Sequence, residues 1–125
     1  MILDTSALSA FAEGDEDLGA LLGTSAELCV PSVVLGEYRF GVRQSRHRKV
    51  YEEWLREALS DLVVLPVLDS TSVHYAALWH KLKKAGTPIP TNDAWIAAIG
   101  QEHHLPIVSR DTHFDLVVGL RRIGW

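Results

Sequence analysis

The chain has 125 residues, of which 47% are hydrophobic and 22% are charged, with a formal net charge of −4. This composition predicts one globular domain over residues 1–125 and excludes a disordered chain or one that holds polyanions by bulk charge. No apolar run approaches the ~20 residues of a membrane span, and no basic region precedes a long apolar stretch, so we expect neither a membrane anchor nor a signal peptide. Cys29 is the only cysteine and lies in the apolar string LCVPSVV, which predicts a buried side chain and a cytoplasmic location.

Patterns typical of strands and of helices alternate along the chain. The elements predicted in chain order are a strand at MILD, helices over 6–12 and 15–23, a strand at ELCVP, a helix from Ser32 to about 44, a helix over 47–60, a strand at LVVLPV, a helix over 70–85, a helix from Thr91 to about 103, a strand at LPIVS, a short helix, and an edge strand at LRRIG. The strands are near-continuous apolar runs, which is typical of a sheet covered by helices on both faces. We therefore predict an α/β fold with a central, mainly parallel sheet, in which ligands bind beyond the carboxyl ends of the strands.

Two helices are predicted to bury an apolar face. Ser32 is placed to cap the first of them, and the helical period gives it the face Val33, Val34, Glu37, Phe40 and Gly41. The second has the face Val50, Trp54, Leu55 and Leu59. A lone carboxylate on an apolar face is costly unless it is paired or bound to a metal, so Glu37 is a candidate functional residue.

Three further carboxylates accompany Glu37 at positions that the predicted fold makes interesting. Asp4 and Asp111 each follow a predicted strand, and Asp93 opens a helix that is apolar nearly all round. Each of the four also has an ordinary explanation: a helix cap for Asp4 and Asp111, the helix dipole for Asp93, and an arginine pair for Glu37.

All four carboxylates can meet at one end of the sheet if the strands are parallel and adjacent. Clustered carboxylates repel one another and resist ionisation, and a divalent cation removes that repulsion. Oxygen ligands favour Mg²⁺ or Mn²⁺, which can activate water and neutralise charge on a phosphodiester. Asp4, Glu37, Asp93 and Asp111 are therefore candidate ligands of a divalent cation.

Short polar residues lie beside these acids in the sequence. They are Thr5, Ser6, Asn92 and Ser109. Such side chains can orient carboxylates or hold metal-bound water, and they can equally cap helices and form turns.

One segment of this acidic chain is strongly basic. The string RFGVRQSRHRK contains no acid and carries Arg39, Arg43, Arg46, Arg48 and Lys49. A local basic patch predicts contact with phosphates, and a solvated helix face is the alternative interpretation.

Four strings resemble the PIN-domain nucleases and, within them, the VapC-type toxins of bacterial and archaeal toxin–antitoxin modules. They are LDTSAL, VPSVVLGEYRFGV, IPTNDAWIAAIGQEHHLPIVSRD and HFDLVVGLRRI, in order over nearly the whole chain. The resemblance implies a three-layer α/β/α fold and Mg²⁺- or Mn²⁺-dependent cleavage of RNA, with Asp4, Glu37, Asp93 and Asp111 as the acidic quartet.

The resemblance also implies partners. It implies a homodimer whose two sites share a basic groove, and an antitoxin whose C-terminal segment lies across that groove and blocks it. The basic segment after Glu37 is then an RNA-contacting rim. Trp54, Trp79, Tyr51 and Tyr75 are expected to be core or dimer contacts rather than platforms for stacked bases.

The sequence departs from the family pattern after the fourth acid. Many relatives carry a further acid there, where this chain has His113, with Asp115 slightly beyond it. His113 can contact the substrate, orient a water or lie on the surface, and Asp115 is not expected to be a ligand.

Two other functions stay open at the level of sequence. One is a nuclease that processes RNA and is not a toxin. The other is a module that binds RNA or a partner without cutting. Motifs of serine hydrolases, dinucleotide-binding proteins, P-loop proteins and zinc proteases are absent from the sequence.

Overall fold

The computed structural model describes residues 1–125 and contains a five-stranded sheet and six α-helices. The elements are β1 (Ile2–Leu3), α1 (Thr5–Ala12), α2 (Glu16–Leu22), β2 (Leu28–Pro31), α3 (Ser32–Arg43), α4 (Arg48–Ala58), β3 (Leu62–Leu65), α5 (Asp69–Lys84), α6 (Thr91–His103), β4 (Ile107–Val108), a 3₁₀ helix (Thr112–Leu116) and β5 (Arg122–Ile123). The predicted order of strands and helices is confirmed, with boundaries that move by a few residues. No helix is both long and apolar enough to cross a membrane.

The sheet is parallel throughout, with strand order β3-β2-β1-β4-β5. Ile2 of the central strand pairs with Cys29 on one side and with Ile107 on the other. The chain builds the sheet outward from β1 through β2 to β3 and then returns to the opposite side of β1 for β4. This reversal opens a crevice beyond the carboxyl ends of β1 and β4. The α/β/α fold with a central parallel sheet is confirmed.

The central strands and α6 form the middle of the core. Ile2, Leu3, Ile107 and Val108 are completely buried, and α6 buries six residues, namely Ala94, Ile96, Ala97, Ala98, Ile99 and Gly100. Cys29 is buried as predicted, and burial raises the pKa of its thiol. The four aromatic residues expected to be core or dimer contacts are half-buried and pack against this core.

The predicted apolar faces of α3 and α4 are partly wrong. The buried residues of α3 are Val34, Leu35, Tyr38 and Val42. Phe40 is 64% exposed, so the true face is rotated and Glu37 lies at its border instead of in its middle. In α4, Val50 is 67% exposed while Leu55 is buried.

Two further predictions need correction at the sheet edge. Ser32 does not cap α3, because β2 ends at Pro31 and the helix begins at Ser32, with no side-chain capping bond. β3 is not covered on both faces, because it is an edge strand of the sheet, and Val63 and Val64 are 41% and 43% exposed.

Gly100 packs where α6 meets β4, and a larger residue there should destabilise the fold. A Cβ atom at Gly100 would lie 2.8 Å from Leu120 Cδ1, 2.9 Å from Ile107 Cδ1 and 3.3 Å from the Leu105 carbonyl oxygen. We expect Gly100→Ala to lower the free energy of unfolding by about 1–3 kcal/mol, measured by urea denaturation.

Gly19→Ala is the matched control, because Gly19 is also a helical glycine but has no atom within 4 Å of the position that a Cβ would take. We expect this variant to be unchanged or stabilised by up to about 1 kcal/mol. Equal effects of the two substitutions would contradict the packing described at Gly100.

Candidate active site

Asp4 lies where β1 ends and α1 begins. Its backbone N–H donates to the Val108 carbonyl oxygen at 3.2 Å, which continues the β1–β4 pairing by one residue. Its carboxylate caps α1 by accepting from Ala7 N at 2.8 Å and from Ser6 Oγ at 2.7 Å. Burial raises the pKa of Asp4 despite these bonds, and the charge of Asp111 adds to the effect. The capping explanation is therefore correct, and it leaves a buried carboxylate in the crevice.

Ser109 connects the ends of β1 and β4. It is completely buried, donates from Oγ to the Asp4 carboxylate, and accepts from the Asp111 backbone N–H at 2.8 Å. Arg122 of β5 donates to the Ser109 carbonyl oxygen at 3.0 Å. These bonds fix two of the four predicted acids relative to each other.

Asp93 and Asp111 converge on His113. His113 Nδ1 lies 3.2 Å from Asp93 Oδ2 and 2.9 Å from Asp111 Oδ1. Burial raises the pKa of Asp93, and the charges of Asp111 and Asp4 raise it further, while His113 opposes the shift. The pKa of His113 is raised, chiefly by its bond to Asp93.

Glu37 faces the same crevice from α3. Burial raises the pKa of its carboxyl, the nearby Thr5 hydroxyl offsets part of the shift, and the charges of Asp93 and Asp4 add to it. Glu37 Oε1 is buried without a hydrogen-bond partner, so the arginine pair considered for it is not formed. The structure therefore brings all four predicted acids close enough for their charges to interact.

A cleft runs along α1 and α3, and Glu37 is the one of the four acids that lines it. Its volume is about 310 Å³, and its lining includes Thr5, Glu37, Tyr38 and Tyr51. Burial raises the pKa of Tyr38 to about 12, so its hydroxyl stays protonated at neutral pH. A ligand in this cleft would therefore lie against Glu37.

Two of the four short polar residues bond to the acids and two do not. Ser6 and Ser109 both donate to Asp4, as predicted for residues that orient a carboxylate. Thr5 lies beside Glu37, but its buried Oγ1 has no hydrogen-bond partner. Asn92 is exposed and bonds to none of the carboxylates, because its position in the first turn of α6 directs it to solvent.

The five basic residues of the segment after Glu37 are exposed. Arg39 follows Glu37 by two residues, which places it about 200° around the helix. Arg39 and Arg43 line a groove between α3 and α4 that also contains Glu52. Arg48 pairs with Glu52 at 2.6 Å.

Arg110, which follows Ser109 in the chain, is a cation beside the site that was not predicted from the sequence. Its guanidinium donates to Asp15 at 2.9 Å and lies 4.4 Å from the ring centroid of Trp125. Trp125 Nε1 also donates to Asp15, at 3.2 Å. The position of Arg110 between Ser109 and Asp111 was the available signal. Asp115 is held by Arg122 at 2.8 Å, which lowers its pKa.

Comparison with known proteins identifies the family. Residues 1–120 match the family model of the PIN domain, and the chain belongs to the PIN-domain family. It is 31% identical over 120 residues to Ribonuclease VapC5 of Mycobacterium tuberculosis, a match that covers 94% of this chain and 87% of the relative.

Two solved structures of toxin–antitoxin complexes have the same fold. The Rickettsia felis VapBC2 complex, bound to a DNA fragment from its promoter, matches with a TM-score of 0.90 and 22% identity, over 99% of this chain and 97% of that chain. The VapBC-5 complex of Mycobacterium tuberculosis matches with a TM-score of 0.74 and 29% identity, over 98% and 94%.

The raised pKa values predict how one acid affects stability without a divalent cation. A carboxyl group with a raised pKa holds its proton more tightly in the folded chain, so its contribution to stability falls as the pH rises from about 4. Asp4→Asn removes this loss. We expect the stability of the variant relative to the wild type to increase between pH 4 and 7, measured by urea denaturation with chelator present.

Asp61→Asn is the matched control, because Asp61 is an exposed acid outside the crevice. Its stability difference from the wild type should not change with pH over the same range. A constant difference for Asp4→Asn as well would contradict the cost assigned to the buried Asp4 carboxylate.

Proposed function

We propose that this chain is a metal-dependent endoribonuclease and the toxin of a VapBC-type toxin–antitoxin pair. The observation that carries the proposal is the convergence of Asp4, Glu37, Asp93 and Asp111 at the crevice between β1 and β4. Membership of the PIN-domain family and the ribonuclease names of the relatives support it. One domain over residues 1–125 supplies the whole site in this proposal, and the cytoplasmic location stays a prediction.

The donor set fits a divalent cation. Buried carboxylates whose charges raise one another's pKa need a positive partner to ionise together at neutral pH. Glu37 Oε1 is also a buried oxygen without a partner. Oxygen donors favour Mg²⁺ or Mn²⁺, so we propose that Asp4, Glu37, Asp93 and Asp111 hold one of these ions. When bound, the ion would lower the pKa of water and neutralise charge developing on the phosphodiester.

The chain's own residues orient the reaction. Ser6, Ser109 and the Ala7 N–H fix the Asp4 carboxylate, and Ser109 also holds the backbone of Asp111. The cleft beside Glu37 is the proposed path of the RNA strand.

The proposed partners follow from the fold relatives and from the surface. Structures with this fold are described as complexes of VapC with VapB, and we propose that a cognate antitoxin segment occupies the cleft and blocks the site. We also propose a homodimer, for which the exposed apolar residues Phe40, Val63 and Val64 provide contact surface.

The nuclease proposal predicts metal-dependent cleavage that needs the carboxylates. A mixed pool of cellular RNA should be cut by the isolated protein with Mg²⁺ or Mn²⁺ and not with chelator. Asp4→Asn and Asp93→Asn should each lower the rate about 100-fold or more, because each removes a charge from the ion's ligands. Folding of both variants is checked by circular dichroism.

Asp61→Asn is the control for the cleavage assay, since it removes an exposed acid of the same type. It should cut at the wild-type rate. Full activity of Asp93→Asn, or equal activity in chelator, would contradict the proposal. RNA binding without any cutting would favour a non-catalytic module.

The basic segment is proposed to contact RNA that extends beyond the cut phosphate. Arg43 and Arg46 form no ion pair within the chain and are exposed. Replacing both with alanine should weaken RNA binding, measured by fluorescence anisotropy with chelator. The salt slope should become shallower by about 0.7 for each phosphate that the variant no longer neutralises.

Lys83→Ala with Lys84→Ala is the matched control, because it removes the same charge from the end of α5. This pair should leave the salt slope close to the wild type. Equal slopes for the arginine variant and the wild type would remove the basic segment from the RNA surface.

A further inference from the structure

We propose that His113 is a ligand of the divalent cation and makes the site prefer Mn²⁺ to Mg²⁺. The inference rests on the proposed metal-dependent function and adds a residue and a selectivity to it. His113 lies among Asp93 and Asp111, and the three side chains have ligand atoms within 4.8 Å of one another. This group combines two carboxylates with an imidazole instead of consisting of oxygen donors alone.

The spacing of the three groups matches neighbouring ligands of one ion. His113 Nδ1 lies 2.9 Å from Asp111 Oδ1 and 3.2 Å from Asp93 Oδ2. Adjacent ligands of an octahedral ion with bonds near 2.1 Å stand about 3.0 Å apart. Nδ1 carries at most one proton for the two carboxylates, whereas a cation in contact with all three atoms would interact with both.

The imidazole is held in place by its own segment of chain. The His113 backbone N–H donates to Asp111 Oδ1 at 2.9 Å, and the next residue, Phe114, is completely buried. Asp115 is engaged by two bonds from Arg122, at 2.8 and 3.0 Å, so it does not compete for the cation. His113 is therefore the side chain that this segment presents to the crevice.

An imidazole ligand changes which ion the site favours. Mg²⁺ is a hard cation that takes oxygen ligands in a strict octahedron. First-row transition-metal ions accept imidazole more readily than Mg²⁺ does, and Mn²⁺ among them also suits carboxylate and water. Replacing one oxygen donor by nitrogen should weaken Mg²⁺ binding more than Mn²⁺ binding.

Metal binding by the full chain tests this assignment without any cleavage assay. Calorimetry with Mn²⁺ alone and Mg²⁺ alone gives the affinity ratio for the wild type, His113→Asp, His113→Ala and His80→Ala. We expect His113→Asp to lower the Mn²⁺ to Mg²⁺ ratio by about tenfold or more, because it restores an oxygen ligand. His80→Ala removes an exposed histidine of α5 and should keep the wild-type ratio.

Pulsed electron paramagnetic resonance of the Mn²⁺-loaded protein gives a second readout. The wild type and His80→Ala should show the nitrogen coupling of a directly bound imidazole, and His113→Ala and His113→Asp should lose it. Persistence of the coupling in His113→Ala, or its absence from the wild type, would overturn the role of His113 while leaving the carboxylate site intact. Absence of Mn²⁺ binding, or binding unaffected by Asp93→Asn, would instead overturn the proposed metal site itself.

Discussion

The structure depends on the junction between β1 and β4, where the chain reverses its direction across the sheet. The Asp4 N–H bonds to the Val108 carbonyl, and Ser109 Oγ bonds to the Asp4 carboxylate. These bonds hold the two strand ends together at the point where the crevice opens. The backbone N–H of Asp111 donates to Ser109 Oγ in the same turn, and Arg122 of the edge strand β5 donates to the Ser109 carbonyl oxygen. A buried serine thus fixes the relative positions of acids from opposite ends of the chain.

The acids around this junction lower the stability of the folded chain in the absence of a cation. Asp4, Glu37 and Asp93 all have raised pKa values, first because they are buried and then because they lie close to other acids. The fold keeps these carboxylates despite the cost of burying their charges, a cost that an apolar side chain would not have. This conflict between stability and position is typical of functional sites. A cation that binds the folded chain would offset this cost.

The sequence predicted the fold and the convergence of the four acids, because a parallel sheet fixes where strand ends lie. Asp4 and Asp111 follow directly from that rule. Prediction failed where one residue of rotation decides the outcome, as for Phe40, which was placed on the buried face of α3 and is exposed. It also missed Arg110, whose contacts with Asp15 and Trp125 join residues far apart in sequence that no local pattern connects.

The most direct test of this account is the thermal unfolding of the wild-type chain as Mn²⁺ is added at neutral pH. If the clustered carboxylates form a cation site, Tm should rise steadily with the logarithm of the ion concentration above Kd, because the ion binds the folded chain and not the unfolded one. Asp4→Asn should show a much smaller rise. A wild-type Tm that stays constant through millimolar Mn²⁺ would contradict the central claim that these acids are assembled to bind a divalent cation.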